Sequence, residues 1–143
     1  MTFTRGQLIA DRFRLINPIG RGSLGDLWRA VDRVPDRQVA IRHVTRFDPV
    51  IARRMVSEVD ASRALHERCV ARVHRAGMFD DGSAFIATEL LLSESLDELL
   101  SRRVRVSPGG ALGLVADLAA ALMQAHERRL AHAAITSRAI LLH

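Results

Sequence analysis

Asn17-Pro18-Ile19-Gly20-Arg21-Gly22-Ser23-Leu24-Gly25-Asp26-Leu27-Trp28-Arg29-Ala30 places Gly20, Gly22 and Gly25 in the spacing G-x-G-x-x-G. The spacing suits two different structures. In a dinucleotide-binding turn the three glycines open a helix. In a loop that covers nucleotide phosphates they sit in a β-hairpin, and a cationic residue follows on the next strand. Here Gly25 is followed by Asp26-Leu27-Trp28-Arg29-Ala30-Val31 and then by Val34-Pro35-Asp36, which is strand and turn chemistry. A second β-type run, Gln38-Val39-Ala40-Ile41-Arg42-His43-Val44, carries Arg42 as its cation. The glycines alone would imply little more than a flexible loop. Followed by Val39-Ala40-Ile41-Arg42 at this distance, they specify a phosphate-covering hairpin.

Composition bounds what the remainder can be. A chain of 143 residues that is 48% hydrophobic with four prolines should form one domain, or one lobe and part of another, around a real core. Its net charge of +5 rests on arginine alone, because the sequence holds 21 Arg and no Lys. Schiff-base and P-loop lysine chemistry are thereby excluded. The pairs Arg53-Arg54, Arg102-Arg103 and Arg128-Arg129 are scattered and lack interleaved aromatics, so a solvated surface is expected rather than a nucleic-acid partner. The single Cys69 excludes an internal disulfide and fits a reducing compartment. Met1 to Ala10 has no secretory core, and the apolar stretch Ala111 to Ala125 is interrupted by Asp117 and Gln124 and short for a bilayer. The expectation is a soluble, cytoplasmic domain without a membrane segment. His66-Glu67 and His126-Glu127 do not continue to H-E-x-x-H, since Val70 and Leu130 hold the closing positions, and no metal site is expected.

In chain order, strands are predicted over Arg12 to Ile19, Leu27 to Val31, Gln38 to Val44, Val73 to Phe79 and Ser83 to Thr88, the last two joined through Asp80-Asp81-Gly82. Period two puts Ala40, Arg42 and Val44 on one face of the third strand. Asp48-Pro49 starts a helix whose predicted stripe is Ile51, Met55, Val59, Ser62 and Leu65. Glu58 falls inside that stripe, so it must be protonated or paired with a base. Ser95-Leu96-Asp97-Glu98 is a capping box, and Ser107-Pro108 opens a longer helix with Leu112, Val115, Ala119, Leu122 and His126 on one face. The predicted class is α+β. Residues 1–92 form a first lobe, a five-stranded antiparallel sheet plus one helix, that ends in a hinge. Residues 93–143 supply the first helices of a second lobe and close on a loop into an apolar strand.

These motifs, in this order, resemble the first half of a bacterial Hanks-type serine/threonine protein kinase, from the start of its N-lobe to just past its catalytic loop. The resemblance implies that Gly20, Gly22 and Gly25 form the glycine-rich loop. Arg42 stands where the family has its phosphate-binding lysine, beside Ala40. Glu58 would be the glutamate of the regulatory helix and the expected ion-pair partner of Arg42. Thr88 would be the gatekeeper, and the backbone of Glu89 and Leu91 the hinge that meets adenine. The chain departs from the family in the catalytic loop. His132-Ala133-Ala134-Ile135-Thr136-Ser137-Arg138-Ala139 stands where the family reads His-Arg-Asp-x-Lys-x-x-Asn. Ala134 replaces the catalytic aspartate, Thr136 the lysine and Ala139 a Mg²⁺-binding asparagine, and no Asp-Phe-Gly follows. The expectation is a truncated, degenerate member, a pseudokinase that is not an enzyme and works by binding a protein partner or by self-association. The alternative is a regulator that holds ATP or ADP without metal. A place at the cytoplasmic face of a membrane is implied if the chain is part of a longer protein.

Overall fold

Alternating apolar residues with strong β preference build the strands β1 (Leu8–Ile9), β2 (Phe13–Gly22), β3 (Gly25–Asp32), β4 (Arg37–Val44), β5 (Val73–Met78) and β6 (Ala84–Glu89). They pair antiparallel in the order β1-β2-β3-β4-β6-β5. The computed structural model describes all residues except 1, 23, 46, 66–69, 103–104, 133–134 and 143, so Cys69 and Ala134 lie outside the described residues. It divides into two compact units, the first comprising Met1–Ala64 and Ala71–Leu90, the second Leu65–Val70 and Leu91–His143. All five predicted strands occur, and the two-residue β1 is an addition too short to leave a periodic signal. β2 runs on through the glycines, and its register with β3 shifts between Leu15 and Asn17 and again between Pro18 and Gly20. Pro18 has no N–H to give the ladder, which is why proline in a strand keeps company with bulges.

Each face of the sheet has its own core. Val39 and Ile41 of β4 point into a cluster with Phe3, Ile9, Phe13, Leu15, Ala30, Phe85 and Ala87, flanked by Trp28 and Phe79. Every aromatic residue but Phe47 is in this cluster. Phe3 stacks on the buried His43 ring with centroids 3.8 Å apart, and Nε2 of His43 lies 3.4 Å from the Ser83 hydroxyl. Burial pushes the His43 imidazole below its ordinary pKa, against the opposing fields of Asp81 and Asp26. The unfolded chain therefore binds a proton that the folded chain resists, and stability falls as pH drops through the unfolded value of about 6.5. Urea melts between pH 8 and pH 5 should show this loss, and His43→Phe, which keeps the stack, should reduce it, leaving the part that His74 contributes by the same burial.

On the other face Val44, Ala84 and Ile86 are covered by Met55, Val56 and Val59 of α1 (Pro49–Ala61). Asp48 caps α1 by accepting from Val50 N–H at 2.8 Å, with Pro49 in the first turn. The buried line of α1 is Ala52, Met55, Val56 and Val59, one step round from the predicted stripe. Ile51 and Glu58, seven residues apart and so on one face, both point outward.

Asp32, at the end of β3, is fully buried and was not singled out by the sequence reading. It accepts from Arg12 Nε at 2.6 Å and Nη2 at 2.7 Å, from Val34 N–H at 3.3 Å and from Arg37 Nη2 at 3.5 Å. The Arg12 hydrogen bonds hold its carboxyl below the usual carboxylate range, against the cost of burial. The carboxylate thus staples the start of β2, the end of β3 and the start of β4.

In the second unit, Ser95 and Glu98 complete the capping box of α2 (Leu96–Ser101) in both directions. Ser107 caps α3 (Pro108–Glu127) through Gly110 N–H at 3.1 Å. The terminal strand β8 (Leu141–Leu142) pairs with β7 (Glu94–Ser95), so the end of the chain finds a strand partner that the sequence did not reveal. α3 buries Ala121 and Ala125 and leaves Leu112 and Val115 of the predicted stripe 71% and 60% exposed. The cause is that apolar residues run almost all round this helix, and a stripe cannot choose a face where no polar face opposes it. At 20 residues and mean hydropathy 1.2, α3 also exceeds the stretch read from the sequence and is long and apolar enough to cross a membrane by length and composition alone, though it carries Asp117.

Candidate nucleotide site

The hairpin of β2 and β3 closes with Gly22 opposite Gly25, and each glycine is there for a different reason. Gly25 has φ +134°, and a Cβ on it would fall 1.8 Å from the carbonyl oxygen of His43. No side chain fits. A Cβ on Gly22 would sit 2.9 Å from Nη1 of Arg42, so the bare backbone lets the guanidinium come up against the hairpin. Gly20 meets nothing within 4 Å. Across the tip, Arg21 and Asp26 form an exposed ion pair at 2.7 Å.

Arg42 lies opposite Leu27 of β3 and Ile86 of β6. It shares a face with Val44, toward α1, as the alternation predicts. Burial lowers its pKa from the ordinary arginine value. Among the described residues no carboxylate lies within 4.0 Å of it. Glu58 is not the partner: its Oε1 accepts from Arg54 Nε at 3.0 Å, one turn earlier on the solvent side of α1. The expected inward pair is therefore corrected. Placing Glu58 over Val44, Ala84 and Ile86 would desolvate a carboxylate against apolar side chains, whereas Arg54 offers a hydrated partner. Glu58→Ala should change the unfolding free energy by no more than about 0.5 kcal/mol in urea melts.

The other predicted site residues are placed as follows. Ala40 is buried, opposite Arg29 and Thr88. Thr88 is half-buried, and its hydroxyl donates to the Glu89 carbonyl at 3.2 Å. The Glu89 carboxylate accepts from Arg72 N–H at 2.6 Å, and its own N–H donates to the Arg72 carbonyl at 2.9 Å, tying the end of β6 to the start of β5. Leu91 follows in the second unit, half-buried.

Of the loop toward the end of the chain, Thr136 and Ala139 are described and exposed, at the start and end of a short 3₁₀ turn. The turn is anchored to α2, because Ser137 donates to Asp97 at 2.8 Å and Arg138 pairs with it at 3.2 Å. These contacts, the Ser137 bond first, hold the Asp97 carboxyl below its ordinary pKa. The turn is therefore held in place but presents a methyl group at Ala139 and a hydroxyl at Thr136.

Comparison with known proteins bears on this arrangement. The family model described as protein tyrosine and serine/threonine kinase matches residues 13–143. Serine/threonine-protein kinase PknE of Mycobacterium tuberculosis is 30% identical over 133 residues, 91% of this chain and 23% of its own length. PknA of the same organism is 31% identical over 144 residues, 96% of this chain and 33% of its own. The chain thus spans between about a quarter and a third of these curated relatives. The crystal structure of the M. tuberculosis PknI kinase domain superposes with a TM-score of 0.87 at 21% identity, covering 99% of this chain and 57% of that one. At that identity the likeness establishes the fold.

Proposed function

This chain belongs to the protein tyrosine and serine/threonine kinase family, in company with its bacterial serine/threonine members, and we propose that it is a catalytically inactive, kinase-like regulatory domain that acts by binding another protein. The observation that carries this reading is the loop from His132 to Ala139. Phosphoryl transfer in the family needs a carboxylate to accept the substrate proton and an amide to hold Mg²⁺. Ala134 and Ala139 can do neither. The outward turn of Glu58 supports the same reading, since it leaves Arg42 with no acid to position it among the described residues. Exposed apolar side chains on α3, Leu112, Val115 and Met123 among them, are the surface we assign to the partner or to a second copy. Light scattering across a dilution series, repeated on Leu112→Ser/Val115→Ser, tests it. Mass that falls on dilution and in the variant is expected if a second copy is the partner, and a monomeric, dye-negative protein at high concentration would refute the assignment.

A second reading, a domain that holds ATP or ADP without metal, is favoured by one specific observation. Arg42 is a half-buried cation against the bare backbone of Gly22 with no carboxylate near it among the described residues, and such a cation calls for an anion. ATP, when bound, would supply that anion in its phosphates, held by Arg42 and the hairpin. A thermal-shift titration separates the readings. A rise with ATP that does not need Mg²⁺ and is lost in Arg42→Ala supports retained binding; no rise at millimolar ATP leaves the protein-binding reading alone.

A further inference from the structure

Away from the glycine hairpin, a cleft of about 410 Å³ opens in the first unit where the start of β2, the start of β4, the end of α1 and the start of β5 meet. Arg12, Arg37, Arg63 and Arg72 line it together with His74 and Asp60. Three carboxylates oppose the four guanidinium groups, one of them Glu89, which accepts from Arg72 N–H at 2.6 Å. Asp32 lies beneath Arg12 and Arg37, and Asp60 pairs with Arg63 at 3.3 Å on the exposed rim. Four positive charges less three negative leave +1, because His74 is buried and neutral. Burial first, and then the fields of Arg37 and Arg72, push its imidazole below the ordinary value, while Asp32 and Glu89 oppose them.

The donors here are not all used. Nε of Arg37 is buried and has no hydrogen-bond partner among the described residues, and its Nη2 reaches Asp32 only at 3.5 Å. An unmet buried donor is costly and asks for an acceptor. The Arg72 guanidinium has no acidic partner among the described residues. Planar guanidinium forks converging on one cleft match an oxyanion that offers several oxygens, and a phosphate monoester brings the negative charge that the net positive cleft lacks.

We propose that this cleft, built by Arg12, Arg37, Arg63, Arg72 and His74, binds a phosphate dianion, either free or carried on a phosphorylated serine or threonine. Arg12 and Arg37, fixed by Asp32, form the rigid wall; Arg63 and Arg72 form the rim. The inference does not depend on the nucleotide hairpin or on the loss of catalysis.

The test uses the whole chain, ¹⁵N-labelled, titrated at low salt with inorganic phosphate, with a capped pentapeptide of one phosphothreonine among alanines, and with that peptide unphosphorylated. Saturable shifts at the amides of Arg63, Arg72 and His74 are expected from the two phosphate-bearing probes and not from the third. Arg63→Ala/Arg72→Ala, which leaves the Asp32 staple intact, should weaken binding about tenfold or more, each lost contact being a charge-assisted hydrogen bond. Arg53→Ala/Arg54→Ala removes the same charge from the outer part of α1 and should leave affinity within about twofold if only the screened long-range field changes. Tighter binding of the phosphopeptide than of phosphate assigns a phosphorylated protein as the source; equal binding assigns the free ion. Failure to saturate, or equal weakening in both double variants, would show a diffuse basic field and overturn the proposal.

Discussion

Arg12→Ala should lower the unfolding free energy by about 3–5 kcal/mol at neutral pH, the cost of leaving a buried charge without its partner. The asymmetry of the pair sets the sign and the size. Arg12 keeps a quarter of its side chain in water, whereas Asp32 keeps none, so the arginine could be rehydrated and the carboxylate could not. Without Arg12, Asp32 retains only the Val34 N–H at 3.3 Å and Arg37 at 3.5 Å. A pH series identifies the cause. In the native protein the Asp32 pKa is held down by Arg12, so its contribution is present above the unfolded value of about 3.9 and lost as pH falls through the folded one. In the variant the desolvated carboxyl is raised instead, so destabilisation is complete at neutral pH and shrinks once both states are protonated below about pH 4. A deficit that stayed constant from pH 7 to pH 3.5 would place the loss in packing, including the Arg12 contact over the Phe13 ring, rather than in charge.

The larger effect expected is on chemistry. Removing a positioned general base costs about 10²–10⁴ in rate, and on the proposed reading Ala139 stands in for a metal-binding amide as well. Arg42 retains a positive charge on β4, but a guanidinium fork differs from an ammonium in reach and geometry. With Glu58 bonded to Arg54, no carboxylate orients it among the described residues. These losses act on one transition state, so no single reversion is expected to recover turnover. In particular, Ala134→Asp alone should stay at background, because it supplies the base without the metal ligand.

Much of this was legible in the sequence, and the line between what was and was not follows the range of the interactions. Helix starts are local, so Asp48, Ser95 and Ser107 were identified as caps from the few residues around them, and each side chain makes its capping bond. Period two likewise put Ala40, Arg42 and Val44 on one face of β4, and Val44 packs there while Val39 and Ile41 pack on the other. The orientation of α1 was misread because Ile51, Met55 and Glu58 fit one helical stripe as well as Ala52, Met55, Val56 and Val59 fit another. Only the apolar patch of Val44, Ala84 and Ile86 selects between them. α3 failed the same way, for want of a polar face. The Asp32 staple joins residues 20 apart in the chain through a side chain that reads, in sequence, as one more polar residue before a turn. The cleft at Arg63 and Arg72 was equally hidden, since its arginines come from four separate parts of the chain and looked like part of a scattered basic surface.

Phosphotransfer by the purified chain tests the central claim most directly. Incubated with γ-labelled ATP, Mg²⁺ and a generic acceptor protein, it should incorporate no label above a boiled control, into itself or the acceptor. Incorporation that rises with protein concentration and disappears in Arg42→Ala would contradict the account, because it would place working phosphoryl-transfer chemistry in a loop that holds Ala134 and Ala139.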